Sequence, residues 1–230
     1  MVAEFEVVIP ACGRGKRFQS SIPKQFVSVD DIPVLIHTLR VFDDLNGLFG
    51  IVVVCDDEYR SYVESIIQKY NIKNVRRVVI GGKRRQDSVY NGIKALQLKK
   101  IVVIHDAVRP CVEKDVVLRG VRLADEYGAS CAGFPAVQTL GMVKDGFLVK
   151  NLERNSCWVL ATPQCFKYAV IYSAYENAKK ENFFATDDTQ IVVRYADQKV
   201  KLFESNVENI KMTYETDLDI ISMYLRKLRK

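Results

Sequence analysis

The chain has 230 residues, 48% of them hydrophobic and 27% charged, with a formal net charge of +6. That length can bury a sizeable core. No apolar run reaches the roughly 18–20 residues that span a bilayer, and the N-terminus lacks a signal-peptide pattern, so the expectation is a cytoplasmic protein with no membrane partner.

The first apolar run, residues 5–9, has the length and β-branched content of a buried strand. It runs into Pro10-Ala11-Cys12-Gly13-Arg14-Gly15-Lys16-Arg17. Gly13 and Gly15 allow a tight turn whose N–H groups suit phosphate oxygens, because no Cβ stands in the way. Arg14, Lys16, Arg17 and Lys24 surround that turn with positive charge, as a nucleoside triphosphate would require. Neither G-x-x-x-x-G-K-[ST] nor G-x-G-x-x-G is present, since Phe18 stands where the third glycine of the latter belongs.

Downstream, helical periodicity covers residues 33–45, with Leu35, Ile36, Leu39 and Phe42 on one face. Strands are expected at 51–55, 78–80, 101–104, 130–134 and 199–203, and helices near 58–70, 86–98, 112–127 and 166–180. Such alternation predicts an α/β fold, a mostly parallel sheet with helices on both faces. Ligands bind beyond the carboxyl ends of strands in these sheets. The clusters at 13–17, 81–85 and 106–109 all fall at such ends.

Residues 136–154 break the pattern. Asp145-Gly146 between strand formers is a hairpin signal, and a lone hairpin needs something to pack on. A second copy of the chain and its own domain are both open as that partner. The closing helix carries Leu218, Ile221, Leu225 and Leu228 on one face, with Thr213 as its expected cap and Glu215 and Asp217 in its first turn. No repeat or linker interrupts residues 1–230, so one domain is expected. Six cysteines without C-x-x-C spacing read as reduced thiols. The Lys and Arg surplus sits at separate sites with no aromatic-basic motif, which argues for small anions and solvated surface over nucleic acid.

Taken in order, A-C-G-R-G-K-R with P-K-Q, G-G-K-R-R-Q-D-S, H-D-A-V-R-P, R-N-S-C-W-V-L-A-T-P-Q and N-I-K-M-T-Y-E-T-D-L span nearly the whole chain. Together they resemble the cytidylyltransferases that act on sugar-alcohol phosphates, the 2-C-methyl-D-erythritol 4-phosphate cytidylyltransferase family of the non-mevalonate isoprenoid pathway. The ribitol-5-phosphate enzymes share most of these motifs, while Trp158 and Arg154-Asn155 look more like the methylerythritol group. The resemblance implies a Rossmann-like nucleotidyltransferase sheet with a projecting β-arm at about 136–154 that clasps a second subunit in a homodimer. It implies that Pro10, Ala11, Cys12, Gly13, Gly15, Arg17 and Lys24 form the CTP phosphate loop, and that Gly82, Arg85 and Ser88 read cytosine. Asp106 and Ala107 match the ribose and Mg2+ region, with Arg109 in the same motif. Thr139 and Arg154 match residues that hold the acceptor phosphate across the dimer, and Lys211 matches a lysine near the transferring phosphate. Cys12, Lys83, Gln138 and Gly141 depart from the usual pattern of alanine, an acid, Asp and Lys.

The expected reaction joins CTP and a polyol phosphate, with loss of pyrophosphate. The second pKa of a phosphate monoester is near ~6, so the nucleophile is already ionised and no general base is needed. The reaction needs cations, for which Arg17, Lys24 and Lys211 are the candidates, and Mg2+ or another divalent ion near Asp106. Asp106 also reads as a strand-end cap paired with Arg109, and Lys24 and Lys211 as solvated lysines. His105 is expected to pack rather than catalyse, Thr162-Pro163-Gln164 to be scaffold, and Asp187-Asp188 to cap a helix. The class outside enzymes that stays open is a non-catalytic nucleotide- or RNA-binding protein.

Overall fold

The computed structural model describes residues 3–13, 15, 18 and 22–228. In chain order, β1 (Phe5–Pro10) leads through the glycine loop to a short 3-10 turn (Lys24–Phe26) and the small pair β2 (Ser28–Val29) and β3 (Ile32–Pro33). Then come α1 (Val34–Phe42), β4 (Leu48–Cys55), α2 (Arg60–Lys69), β5 (Val75–Ile80), α3 (Arg85–Lys94), β6 (Ile101–Ile104), α4 (Lys114–Tyr127) and β7 (Ala129–Pro135). A hairpin of β8 (Gly141–Lys144) and β9 (Phe147–Asn151) follows, then β10 (Trp158–Lys167), α5 (Tyr168–Lys180), α6 (Asp188–Tyr195), β11 (Lys201–Glu204) and α7 (Asp217–Leu228).

The main sheet has seven strands in the order β11-β7-β10-β6-β1-β4-β5. β1 pairs in parallel with both β4 and β6, β4 with β5, and β11 with β7. The alternation of β-branched residues decides which core each side chain enters. Val7, Ile9, Ile51, Val53, Ile101 and Val103 face a layer that includes Leu35, Leu39 and Phe42 of α1 and Val117 and Val121 of α4. Val8, Val52, Val54, Val102 and Ile104 face the other layer, with Val89 and Ile93 of α3, Ile171 and Ala174 of α5 and Val192 of α6. Helices thus cover both faces, as the apolar strands demand. After β1 the chain winds outward through β4 and β5, then returns to lay β6 on the opposite side of β1. That reversal opens a crevice at the carboxyl ends of β1, β4 and β6.

β10 corrects the sequence reading, which places no strand at 158–167 and begins a helix at Phe166. It runs antiparallel to both β6 and β7, and Phe166 and Lys167 belong to it. Pro163 lacks the N–H that a central strand normally uses, so the sequence reads as a turn. A register irregularity between Leu160 and Gln164 absorbs the proline, and the Thr162–Pro163 peptide is cis. The start of α7 also differs from expectation. Asp217 rather than Thr213 serves its first turn, its carboxylate accepting from the Thr213 and Tyr214 N–H groups at 2.6 and 2.9 Å. Glu215 precedes the helix, while Thr213 Oγ1 donates to the Lys211 carbonyl.

The hairpin is as expected, with Asp145 at φ 51° and Gly146 at φ 84° in its turn. It leaves the carboxyl end of β7 and returns into β10, on the same edge of the sheet as the crevice. Met142, Val143, Phe147, Leu148 and Val149 on it are 51–77% exposed. No helix among the described residues is long and apolar enough to cross a membrane. All six cysteines are unpaired.

Gly92 lets α3 lie close on the sheet. A Cβ there would stand 2.4 Å from Val8 Cγ1 and 2.9 Å from Val54 Cγ2. Overpacking of this kind costs about 1–3 kcal/mol and outweighs the helix-propensity gain of about 1 kcal/mol. Gly92→Ala is therefore expected to lower stability in denaturant unfolding. A variant as stable as the parent would contradict this packing.

Candidate active site

The crevice is a cavity of about 360 Å³ lined from the ends of four parallel strands. Pro10, Ala11, Cys12, Gly13 and Gly15 come from the loop after β1, and Asp56 follows β4. Gly82, Lys83, Arg84, Arg85 and Ser88 follow β5, while Asp106, Ala107 and Val108 follow β6. Lys24, Gln25 and Lys211 complete the wall. Arg14, Lys16 and Arg17 lie outside the described residues.

The glycine loop is held by side chains from elsewhere in the chain. Gly13 and Gly15 have φ of 90° and 63°, in the left-handed region that glycine adopts most readily. Gln25, 2% exposed, donates through Nε2 to the carbonyls of Ala11 at 2.7 Å and Gly13 at 3.2 Å. The Gly13 N–H donates to Asp56 Oδ2 at 2.9 Å. The sequence reading assigns no role to Gln25 or Asp56. Gln25 sits inside the P-K-Q motif, which could have flagged it, whereas Asp56 is 43 positions from its partner with no local signal. Cys12 is half-buried, and burial pushes its thiol up to about 11, so it remains an uncharged thiol at neutral pH.

Lys24 and Lys211 reach the same cleft from distant segments. Lys24 Nζ donates to the Met212 carbonyl at 2.7 Å across a sequence separation of 188. Lys211 Nζ pairs with Asp106 Oδ2 at 2.9 Å. The segment that carries Lys211 is fixed by the Met212 N–H on the Val108 carbonyl at 3.0 Å.

Asp106 is nearly buried and collects three cations. Besides Lys211, Arg109 Nε lies 3.2 Å from Oδ2 and Arg85 Nε 3.5 Å from Oδ1. Burial alone would raise its carboxyl, but Arg85, Lys211 and Arg109 hold it well below the usual carboxylate range. Arg109 also donates to the Asn209 carbonyl at 2.8 Å and does not line the cavity. Ser88 is buried beneath the loop after β5. Its Oγ accepts from the Gly82 N–H at 3.0 Å and donates to the Arg84 carbonyl at 3.1 Å, bracing that loop. Thr139 and Arg154 are exposed on or beside the hairpin and lie outside the cavity lining of their own chain.

His105 is fully buried. The Asp106 N–H donates to Thr162 Oγ1 at 3.1 Å, and the Thr162 hydroxyl stands 3.1 Å from His105 Nδ1, to which it donates when the ring is neutral. His105 Nε2–H then donates to the Arg109 carbonyl at 3.0 Å, which can only accept. This chain of bonds needs the neutral ring, and burial pushes its pKa down from 6.5 to about 4. Packing is therefore what the ring does. Gln164 is scaffold too, donating through Nε2 to Asp187 Oδ2 at 2.6 Å. Asp187 caps α6 by accepting from the Thr189 N–H at 2.8 Å. Asp188, expected to share the capping, does not: Asp187 is the cap, and Asp188 is buried in a bidentate pair with Arg85 at 2.8 and 3.1 Å.

The neutral ring has a consequence for stability. In the unfolded chain His105 takes up a proton below its ordinary value, while the folded protein resists protonation until about pH 4. The unfolded state binds more protons in that window, so stability present above pH 6.5 is lost as pH falls towards 4. The loss is up to about 3 kcal/mol. Denaturant unfolding between those pH values should show it, with a smaller slope in a folded His105→Gln variant. Equal slopes would contradict the assignment.

A family model described as 2-C-methyl-D-erythritol 4-phosphate cytidylyltransferase matches residues 5–227. The chain is 40% identical over 224 residues to the protein of that name from Clostridium botulinum (strain Okra / Type B1), covering 96% of this chain and 97% of that one. Its fold is similar to the crystal structure of 4-diphosphocytidyl-2C-methyl-D-erythritol synthase from Anaerococcus prevotii, with TM-score 0.86, 26% identity, and coverage of 97% and 96%. It is also similar to 2-C-methyl-D-erythritol 4-phosphate cytidylyltransferase from Thermus thermophilus, with TM-score 0.79, 27% identity, and coverage of 97% and 99%. A mostly parallel nucleotidyltransferase sheet, a cation-lined crevice and these matches lead to one assignment: the chain belongs to the 2-C-methyl-D-erythritol 4-phosphate cytidylyltransferase family.

Proposed function

We propose that the chain transfers the cytidylyl group of CTP to 2-C-methyl-D-erythritol 4-phosphate in the cytoplasm, giving 4-diphosphocytidyl-2-C-methyl-D-erythritol and pyrophosphate. The observation that carries this reading is the meeting of Lys24 and Lys211 with the glycine loop in one cleft. A phosphate oxygen of the acceptor attacks the α-phosphorus of CTP. A new P–O bond forms, the bond to the bridging oxygen breaks, and pyrophosphate leaves with the electron pair. The acceptor phosphate is largely ionised near pH 7, given a second pKa near ~6, so no base is required. The buried neutral His105 has no part in the chemistry. Lys24 and Lys211, with Arg17, stabilise the negative charge that builds around phosphorus.

Pro10 to Gly15 cradle the triphosphate, the loop at Gly82, Arg85 and Ser88 reads the base, and Asp106 and Ala107 meet the ribose. Mg2+ fits the donor set. Among the described residues no group of three or more His, Cys, Asp and Glu forms a cage, and Mg2+ is commonly held by one or two carboxylates with substrate phosphates completing its shell. Asp106 Oδ1, whose partner Arg85 stands off at 3.5 Å, is the oxygen that would hold it. When bound, the ion neutralises triphosphate charge.

The arm supports a homodimer. Its exposed apolar residues gain a cover in a second copy, and Thr139 and Arg154 then serve the acceptor phosphate, with Arg109 reaching it only if it leaves Asp106 and the Asn209 carbonyl. The rest of the chain acts as one domain, and its partners are small anions rather than nucleic acid.

With CTP, Mg2+ and each acceptor, pyrophosphate release is expected with methylerythritol phosphate. Release only with ribitol 5-phosphate would overturn the acceptor. Lys24→Met should lower kcat/KM by about 10²–10³ while the fold persists, and near-normal turnover would remove Lys24 from the mechanism. Val143→Glu combined with Leu148→Glu should yield a monomer in sedimentation with little turnover. A dimer that survives this change would refute the arm as its interface.

A further inference from the structure

Arg85 stands between two carboxylates. Its terminal nitrogens Nη1 and Nη2 grip Asp188 at 3.1 and 2.8 Å, while Nε faces Asp106 Oδ1 at 3.5 Å. A guanidinium is a rigid planar fork, so a bidentate grip on one edge fixes where its remaining N–H points. Asp188 is 1% exposed, which leaves water no share in its hydrogen bonding. The Tyr175 hydroxyl donates to Asp188 Oδ1 from a fully buried ring stacked on Tyr90 at 5.8 Å. The preceding Asp187 is held by Thr189 and Gln164. Asp188 therefore has one orientation, and Arg85 inherits it.

The effect reaches Asp106. Its Oδ2 is committed to Lys211 and Arg109, while Oδ1 has Arg85 beyond ordinary hydrogen-bond distance. The bidentate pair with Asp188 occupies both terminal nitrogens of Arg85 and leaves only Nε towards that oxygen. Without its charge, the nearest carboxylate left to Arg85 is Asp106.

Resting on the proposed function, we infer that Asp188 is a positioning residue: by holding Arg85 it keeps one oxygen of Asp106 available to Mg2+ and the nucleotide. Asp188 touches neither substrate nor ion in this reading. It acts through a side chain 103 positions away.

The test is calorimetric titration of CTP at a series of Mg2+ concentrations, which does not require turnover. Asp188→Asn keeps the volume and removes the charge. The Mg2+ concentration for half-maximal CTP binding should rise roughly tenfold, the scale of one hydrogen bond to a charged group. Adding Arg85→Met should return that midpoint to near the parent value, even if CTP binds more weakly throughout. A purely structural role predicts lower thermal stability with an unmoved midpoint, and the double variant would then be no better than the single. Either result would overturn the inference. If Asp188→Asn fails to fold, Tyr175→Phe loosens Asp188 without changing charge, and a shift of roughly twofold to threefold is expected; an unchanged midpoint would count against the proposal. A parent protein that binds Mg2+ and CTP but releases no pyrophosphate with either acceptor would refute the proposed function while the binding midpoints still decide the role of Asp188.

Discussion

The structure depends on a nearly buried carboxylate. Asp106 draws a guanidinium from the start of α3, a second from three residues further along its own turn, and an ammonium from the segment before α7. Taking one acid out of water is costly, and only close partners offset it. The chain is thus obliged to bring residues 85, 109 and 211 to one point. Segments that share no sheet pairing become fixed relative to one another, and the cleft is the space they enclose.

The same arrangement explains the chemistry. Two anions must approach one another in the proposed reaction, and the cleft offers them the cations Lys24, Arg85 and Lys211. The histidine beside Asp106 is held neutral by burial and a directed set of hydrogen bonds, and the cysteine in the loop stays a thiol. Those groups being chemically quiet agrees with a proposed mechanism that rests on positioning and charge.

Much of this was legible in the residues because it is local. β-branched runs announced β1, β4 and β6, Asp145-Gly146 announced the hairpin, and glycines beside charges at strand ends marked the cleft. What escaped was non-local or contradicted by one residue. Pro163 hid β10, because the irregularity that accommodates it exists only once β7 is alongside. Thr213 looked like a cap, yet Asp217 accepts from the N–H groups four and three residues earlier. The Arg85–Asp188 pair and the Asp56–Gly13 contact join positions with no periodic relation, so no spacing could signal them.

The outer strands of the main sheet carry a further lesson. β5 and β11 are the outermost strands, and Arg76 and Arg77 on one and Lys201 and Glu204 on the other are exposed charges. Charged side chains on a border strand discourage sheet-to-sheet growth into aggregates. The apolar hairpin carries no such guard on Val143, Phe147, Leu148 and Val149, so the two borders of the main sheet and the arm present opposite surfaces to a neighbouring molecule.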